Sequence, residues 1–174
     1  MILGAVLAGG QSRRFGSDKA LAELDGHTLL AHAVDTLSGW CDHVIVVGRE
    51  MAPAPTIPDW PHAGMGPLGG LAAALRLAAD GVYYSVLSCG VDSLDLPDDL
   101  PRLLGLAPAY LAAQPIVGIW PTHAGAALEA ILQGDGSHSV RRFAQAIGAR
   151  AITLERAPAN INTPEDLAAL RQGR

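Results

Sequence analysis

The sequence has little cysteine, no long apolar run and few charged residues. Its two cysteines, Cys41 and Cys89, lack the spacing of metal ligands, which argues against a disulfide framework or a cysteine zinc site and favours a reducing compartment. No uninterrupted apolar stretch approaches the ~18 residues of a membrane span, and no basic segment with an apolar run after it marks a secretory signal. We therefore expect a soluble cytoplasmic protein with no membrane partner.

Charged residues make up 17% of the chain, and the formal net charge is -5. Non-specific nucleic-acid binding needs clustered Lys and Arg to displace counterions from phosphates, so the acidic balance argues against a nucleic-acid partner. Hydrophobic residues reach 49%, which is typical of a globular chain. The 174 residues fit one domain, which we expect to span 1–174 and to hold one site.

Short β-branched runs alternate with Ala- and Leu-rich segments along the chain. We predict strands at 2–8, 43–48, 82–88, 115–120 and 150–154, and helices at 28–39, 69–79, 121–133 and 138–147. Apolar strands separated by helices imply a mostly parallel sheet covered on both faces, which is an α/β fold of three layers, αβα. In such sheets ligands bind beyond the carboxyl ends of the strands.

Two further segments have clear local signals. The stretch 51–68 is rich in Pro and Gly and is predicted to be a loop, with room for a short extended piece at "PTIP". A closing helix is predicted from Thr163 as N-cap, Pro164 at the first helical position, and the acidic Glu165 and Asp166 in the first turn.

The stretch "VLAGGQSRRFGSDKA" at 6–20 ends the first predicted strand in a glycine-rich turn. Glycine at Gly9 and Gly10 lets backbone N–H groups approach a bulky anion that a Cβ would exclude. A dinucleotide fingerprint requires G-x-G-x-x-G, and a Walker A loop requires Lys directly after its last Gly; neither pattern is present. A phosphate-binding turn of another kind remains, as does a simple tight turn between strand and helix.

Three basic residues, Arg13, Arg14 and Lys19, follow this turn in an otherwise acidic chain. Two or three cations beside exposed amides suit a triphosphate better than a single carboxylate. Lys19 is the only lysine of the sequence, and a compact point charge can follow a phosphate through a reaction. A phosphate-binding role is therefore favoured over that of a solvated lysine.

Asp92 comes just beyond an apolar strand, at the sheet edge where the glycine turn is also expected. A carboxylate there can hold Mg²⁺ against phosphate oxygens, and we assign only this aspartate to metal. The pattern "LPDDL" favours charge in the first turn of a helix for the acids that follow, Asp95, Asp98 and Asp99. The six histidines are dispersed without ligand spacing and are interpreted as core or surface residues.

Four ordered motifs resemble those of the nucleotidyltransferases, and specifically those of the molybdenum cofactor guanylyltransferases. "LAGGQSRRFGSDKA" is similar to the L-A-G-G-x-S-x-R-x-G-x-x-K signature, and "GPLGG" at 66–70 is similar to G-P-L-x-G. Asp92 matches the metal-binding Asp of that family, and "NINTPEDL" at 160–167 matches its closing N-x-N-T-P-x-D/E-L. The resemblance covers nearly the whole chain and implies a Rossmann-like nucleotidyltransferase fold.

The resemblance implies one set of residues for the nucleotide and another for the acceptor. The nucleotide set, with Asp59 at the guanine end, is Leu7, Ala8, Gly9, Gly10, Lys19, Asp59 and Asp92. The acceptor set, with Asn162 as a second metal contact, is Arg14, Gly66, Gly70, Asn160 and Asn162. Catalysis is expected from Lys19, Arg14 and Asp92, with Mg²⁺ as the cofactor.

Two features of the resemblance favour guanine as the base. Cytidylyltransferase relatives read L-A-A-G and lack G-P-L-x-G, whereas Gly9 follows Ala8 here and "GPLGG" is present. The chain departs from the family in three places. Leu94 replaces the proline of D-x-P after an unusual "SCGVD", and the segment between Leu100 and Pro115 is short. After the second strand, where some relatives carry an Asn near the base, the sequence reads "VVGRE", with Val47 and Gly48.

The resemblance implies transfer of GMP from GTP to the terminal phosphate of Mo-molybdopterin, with release of pyrophosphate. It also implies contact with the proteins that deliver molybdopterin and with molybdoenzymes. The glycine signature is shared among nucleotidyltransferases, so another phosphorylated acceptor, such as a sugar phosphate or cobinamide phosphate, and CTP as donor stay open. A non-catalytic GTP-binding protein with this fold is a further alternative.

Overall fold

The computed structural model describes residues 1–10 and 15–173. The strands are β1 (Ile2–Leu7), β2 (Glu23–Leu24), β3 (His27–Thr28), β4 (His43–Val47), β5 (Thr56–Ile57), β6 (Ser85–Gly90), β7 (Ser93–Leu94), β8 (Ala109–Leu111), β9 (Gly118–Pro121), β10 (Arg150–Ile152) and β11 (Ala159–Asn160). The helices are α1 (Leu29–Ser38), α2 (Gly66–Asp80), α3 (Leu100–Leu104), α4 (Gly125–Gln133), α5 (Val140–Ala146) and α6 (Pro164–Gln172). Single 3-10 turns lie at Lys19–Leu21 and Thr122–Ala124.

Seven strands form the main sheet, in the order β10-β8-β9-β6-β1-β4-β5. Only β9 runs against its neighbours, β6 and β8, and every other pairing in this sheet is parallel. In this register Leu7 lies opposite both Val47 and Gly90, so β1, β4 and β6 end at one level. The segments that follow these three strands therefore emerge at the same edge of the sheet.

Helices cover both faces of the sheet, which confirms the predicted α/β fold of three layers. Leu3, Ala5 and Leu7 point to a core formed with α2, α4 and α5, around the buried Trp120. Val6 and Ala8 point the other way, into a core formed with α1 and α3. The alternation reflects the period of two in a strand that is buried on both faces.

A third, smaller cluster joins segments that are distant in the sequence. Leu94 of β7 and Ile161 pack with Leu24, Leu29 and the neighbouring apolar residues. The antiparallel pair β7–β11 lies here, with Ser93 opposite Asn160 and Leu94 opposite Ala159. Leu94, which departs from the family motif, is thus a buried apolar anchor for the closing segment of the chain.

Several element boundaries differ from the sequence prediction. The strand predicted at 82–88 is Ser85–Gly90, because Val82 and Tyr84 are apolar yet exposed. The strand predicted at 115–120 is Gly118–Pro121, and β8 was missed because a run of three residues carries no periodicity. Helix α2 begins at Gly66 rather than at residue 69.

The short helix α3 corrects one interpretation. It begins at Leu100, with Asp99 at the N-cap position and no acidic residue in its first turn. The predicted first-turn role of Asp95, Asp98 and Asp99 is therefore wrong, because Pro101 sets the start of the helix after these residues. The predicted extended piece at "PTIP" is confirmed as β5, and the Thr163 cap of α6 is confirmed as a capping box with Asp166.

Among residues 1–10 and 15–173, no helix has the length and apolar character needed to cross a membrane. Both cysteines are free thiols. Burial raises the pKa of the Cys41 thiol to about 12 and also raises the pKa of the fully buried Cys89. Neither thiol is therefore activated as a nucleophile.

Candidate active site

A cleft opens at the sheet edge where β1 and β6 end. It is lined by Leu7, Ala8, Gly9, Gly10, Asp18, Lys19, Ala20, Asp59, Gly66, Pro67, Gly70, Gly90, Val91, Asp92 and Ile116. Every residue of the predicted nucleotide set is present, together with two of the acceptor set, Gly66 and Gly70. The segments that follow β1, β5 and β6 meet the start of α2 here, because these strands end at one level of the sheet.

The Asp59 carboxylate is packed against three glycines at one end of this cleft. A Cβ on Gly9 would lie 2.8 Å from Oδ2 of Asp59, and a Cβ on Gly70 would lie 3.4 Å from its Oδ1. A Cβ on Gly48, which has φ +84, would lie 3.1 Å from Oδ1 of Asp59 and only 2.5 Å from the Cα of Gly9. Glycine is required at Gly9 and Gly48 for the two loops to approach each other, and this approach encloses the carboxylate.

Burial raises the pKa of Asp59 above the ordinary value for aspartate, and a hydrogen bond from the backbone of Gly64 offsets part of this effect. A carboxylate that has lost water is a strong acceptor for paired N–H donors, because little solvent competes for it. The carboxylate also stands beside the backbone of Gly9. The arrangement can therefore recognise a ligand edge that carries two adjacent N–H groups.

At the other end of the cleft, Lys19 and Asp92 form an ion pair. Lys19 Nζ lies 2.8 Å from Asp92 Oδ2 and donates a second hydrogen bond, of 2.9 Å, to the backbone carbonyl of Ile161. The two side chains are 14% and 23% exposed, so each still reaches the cleft. The partly desolvated ammonium can attract an incoming phosphate, and the carboxylate beside it can attract a metal cation.

Gly90, within the unusual "SCGVD", has a clear function in the structure. A Cβ at this position would lie 2.5 Å from Oδ1 of Asp92, so only glycine leaves room for the carboxylate as it is placed. Ser93 also accepts a hydrogen bond from the Gly90 amide through Oγ, at 3.3 Å. The glycine of "SCGVD" therefore makes room for the Asp92 carboxylate.

The residues present fit a magnesium ion held mainly by phosphate. Asp92 offers one carboxylate to the cleft, and Mg²⁺ is commonly bound by one or two carboxylates together with substrate phosphates and water. Among residues 1–10 and 15–173 there is no group of three His, Cys, Asp or Glu that could cage a metal without a substrate. A metal at Asp92 would take its other ligands from phosphate and water.

The predicted acceptor residues are only partly brought together. Asn160 and Asn162 are exposed and do not line the cleft, although Ile161 between them accepts a hydrogen bond from Lys19. The backbone amide of Asn162 donates to Asp166 Oδ2 at 2.9 Å, as part of the cap of α6. Arg14 lies outside the described residues.

Sequence reasoning missed two contributors to this region, Arg49 and Gln114. Arg49 forms an ion pair with Asp18 and lines a second cleft that adjoins the glycine turn. Gln114 is buried and donates from Nε2 to the carbonyls of Pro158 and Ala159, at 3.0 and 3.3 Å. Neither residue belongs to a local sequence motif. The only signal for Arg49 is its position in "VVGRE", directly after the strand β4, and Gln114 has none.

A mostly parallel sheet whose first strand runs into a glycine turn, with a lysine–aspartate pair in the same cleft, places the chain among α/β proteins that bind ligands beyond the carboxyl ends of their strands. The chain matches the model of the MobA-like NTP transferase domain over residues 4–157. It belongs to this family of nucleotidyltransferases.

Named relatives and solved structures are similar over nearly the whole length. The molybdenum cofactor guanylyltransferase of Acidiphilium cryptum is 41% identical over 184 residues, covering 97% of this chain and 93% of the relative. The enzyme of the same name from Rhodobacter capsulatus is 35% identical, covering 96% and 93%. A crystal structure of molybdopterin-guanine dinucleotide biosynthesis protein A from Archaeoglobus fulgidus has a TM-score of 0.77 at 22% identity, covering 99% and 97%, and shares the fold.

Proposed function

We propose that this protein is a molybdenum cofactor guanylyltransferase, which transfers GMP from GTP to the terminal phosphate of Mo-molybdopterin and releases pyrophosphate. The observation that carries the proposal is the meeting of the Lys19–Asp92 pair and the Asp59–Gly9 enclosure in one cleft. The first feature suits a triphosphate and the second suits a base with paired N–H donors. The names of the most similar relatives point to the same reaction.

The proposed chemistry is an in-line displacement at the α-phosphorus of GTP. A phosphate oxygen of molybdopterin forms the new P–O bond, and the bond from the α-phosphorus to the bridging oxygen of pyrophosphate breaks. The nucleophile is already an anion, so no general base is needed, and no proton has to be removed before attack. Catalysis then depends on positioning and on neutralisation of charge.

Lys19 is assigned to the phosphates, with the backbone amides of Gly9 and Gly10 facing the leaving oxygens. Its ammonium lies in the cleft and can exchange contact with Asp92 for contact with a phosphate oxygen. Arg14, which lies outside the described residues, is also assigned to neutralising the negative charge of the phosphates. Leu7 and Ala8 are assigned to the wall against which the nucleoside packs.

Asp92 is the residue that would hold Mg²⁺. When bound, the ion would neutralise phosphate charge and orient the triphosphate. Asp59 is assigned to the guanine, whose N1–H and exocyclic amine form a pair of adjacent donors. Gly66 is assigned to the molybdopterin side, as are Asn160 and Asn162 at the closing segment, with Asn162 as a second metal contact. Gly70, also predicted for the acceptor, instead packs beside Asp59 at the end of the cleft assigned to guanine.

Labelled GTP, incubated with magnesium and each acceptor in turn, tests the proposal. We expect pyrophosphate release and a labelled dinucleotide with molybdopterin, and neither product with a sugar phosphate or cobinamide phosphate. Product from CTP at an equal rate would contradict the guanine assignment. GTP binding without magnesium-dependent pyrophosphate release would instead identify a non-catalytic binding protein.

Three further assignments stay predictions of the same proposal. They are the cytoplasmic location, the contact with proteins that deliver molybdopterin, and the contact with molybdoenzymes. Co-purification with a molybdoenzyme from cells grown with molybdate tests the last of them.

A further inference from the structure

An ion pair outside the predicted site residues joins the ends of two segments beside the cleft. Arg49, directly after Gly48, donates from Nη1 to Oδ1 of Asp18 at 3.0 Å and from Nη2 to Oδ2 at 2.6 Å. Two parallel N–H···O contacts fix orientation as well as distance. The Arg49 side chain is 19% exposed and the Asp18 side chain is 44% exposed, so the two-pronged geometry, rather than burial, distinguishes this pair from an ordinary surface pair.

Asp18 also organises the turn that presents Lys19. Its Oδ1 accepts a hydrogen bond of 3.2 Å from the amide of Ala20, which caps the 3-10 turn Lys19–Leu21. Within the turn, the Leu21 amide donates to the Asp18 carbonyl and the Ala22 amide donates to the Lys19 carbonyl, both at 3.1 Å. The Asp18 carboxylate therefore bonds at once to Arg49 and to the backbone that carries Lys19.

Arg49 itself is attached to a rigid part of the molecule. The amide of the preceding Gly48 donates to the Ile57 carbonyl at 2.9 Å, which ties the end of β4 to β5. Gly48 is also in close contact with Gly9, as the absence of room for a Cβ shows. The Arg49–Asp18 pair thus links the Lys19 turn to the sheet edge from which Gly9 emerges.

Electrostatics favour a persistent pair. The Arg49 guanidinium holds the pKa of Asp18 below its ordinary value, and the carboxylate raises the pKa of Arg49. Both groups are therefore ionised at neutral pH. A lysine at position 49 could supply the charge but not the two-pronged geometry.

We infer that Arg49 is a positioning residue, which holds Lys19 against the phosphates by fixing Asp18 from the end of β4. The inference rests on the proposed function, in which Lys19 acts on the triphosphate. Loss of Arg49 would free the Asp18 carboxylate to rotate away from the turn. Lys19 would then spend less time in the position from which it can lower the barrier to nucleotidyl transfer. A misplacement of about 1 Å can lower a rate by as much as ~10²-fold.

Steady-state kinetics on four variants test the inference: Arg49→Ala, Asp18→Asn, the double variant and Arg49→Lys. We expect kcat to fall about tenfold in each single variant, with KM for GTP changed less than about twofold, and the double variant to be no worse than the poorer single one. Arg49→Lys should recover only part of kcat. The control is Arg102→Ala, which breaks an exposed pair with Asp99 that lines neither of the two clefts.

Amide hydrogen exchange, measured on the protein without substrate, gives a second readout. Ala20, Leu21 and Ala22 should exchange faster in Arg49→Ala and Asp18→Asn, and at the ordinary rate in Arg102→Ala. If both hydrogen exchange and kcat were unchanged in Arg49→Ala and Asp18→Asn, the inference would be overturned, because the pair would then be an ordinary surface ion pair with no effect on Lys19. Additive losses with a raised KM for GTP would also overturn it, because Arg49 would then contact the nucleotide itself. If the unmodified protein released no pyrophosphate, the proposed function would be contradicted. The rate of amide hydrogen exchange at the Lys19 turn would still show whether Arg49 holds that turn in place.

Discussion

Lys19 Nζ lies 2.8 Å from Asp92 Oδ2, although 73 positions separate the two residues in the chain. The contact places the only lysine of the sequence beside the carboxylate predicted to bind metal. Each charge is partly desolvated and each is balanced by the other before a nucleotide enters. When a triphosphate and its metal bind, Lys19 can exchange its contact with Asp92 for one with a phosphate oxygen, and Asp92 can exchange its contact with Lys19 for one with the metal.

Replacement of Lys19 by alanine should lower kcat/KM for GTP by about 10²–10³-fold, the size of effect seen when one preorganised charge contact is removed from a transition state. The fold should survive, because the Lys19 side chain lines the cleft and the substitution removes only polar contacts there that are distinct from the apolar core, among them those with Asp92 and the Ile161 carbonyl. Pyrophosphate release measures the activity, and the thermal midpoint measures the fold. Near-normal activity would remove Lys19 from the mechanism.

Replacement of Asp92 by asparagine should abolish the magnesium dependence of activity as well as most of the activity. The neutral amide keeps the size of the side chain but loses the charge that attracts a hard cation. Asp98→Asn is the matched control, since Asp98 is exposed and outside the cleft. Magnesium titrations of both variants are the measurement, and an equal response in the two would contradict the assignment of Asp92.

Gly9→Ala and Gly10→Ala should differ sharply in stability despite their adjacency. A Cβ at Gly9 would lie 2.8 Å from Asp59 Oδ2, whereas a Cβ at Gly10 would meet no atom of residues 1–10 and 15–173 within 4 Å. We expect Gly9→Ala to lose about 1–3 kcal/mol of the free energy of unfolding, as overpacking does, and to shift the thermal midpoint by about 2–4 °C for each kcal/mol. Gly10→Ala should melt close to the parent. Equal thermal midpoints for the two variants would show that Asp59 can move aside for the Cβ at position 9 without strain.

The pKa of Asp59 should be visible in nucleotide binding. Burial raises this pKa above 3.8, so on acidification the carboxylate gains its proton at a higher pH than an ordinary aspartate does. The ionised form is the one proposed to accept the guanine N–H groups. GTP affinity should therefore weaken as pH falls through the raised value, and Asp59→Asn should bind weakly at every pH. Calorimetric titrations across the acidic range provide the test.

The same pKa has a consequence for stability, with a definite sign. A folded-state pKa above the unfolded value means that the native state holds the proton more tightly. The contribution of Asp59 to stability is thus fully present below the unfolded pKa and is lost as pH rises through the folded pKa. The thermal midpoint of Asp59→Asn minus that of the parent should therefore increase as pH rises, because only the parent loses this contribution. A difference that stays constant with pH would show that the carboxyl titrates normally.

Gln114 should anchor the closing segment of the chain. Its Nε2 donates to the carbonyls of Pro158 and Ala159, and Gln114→Ala removes both donors from a residue that is 6% exposed. Unpaired buried carbonyls cost about 1–3 kcal/mol, so the midpoint should fall by several degrees. Gln145→Ala, at an exposed position of α5, is the control and should melt as the parent does. A parent-like midpoint for Gln114→Ala would show that water replaces the side chain.

Much of the architecture could be predicted because it depends on local signals. The apolar run of β1 and the alternation of strands and helices indicated the sheet, and the Thr163 cap indicated α6. Boundaries failed where local signals mislead: Val82 and Tyr84 are β-formers that lie exposed outside β6. The short strand β8 is held by its neighbours rather than by its own composition.

The sequence by itself determined the chemistry available to this protein: a glycine turn, one lysine, an aspartate after a buried strand and the closing motif. The tertiary structure decided which of these groups meet. Strand order and register bring Lys19 to Asp92, enclose Asp59 between glycines, and connect Arg49 to Asp18. The reason is physical, since periodicity reports how a segment is buried, whereas contacts between distant segments depend on the shared level at which parallel strands end.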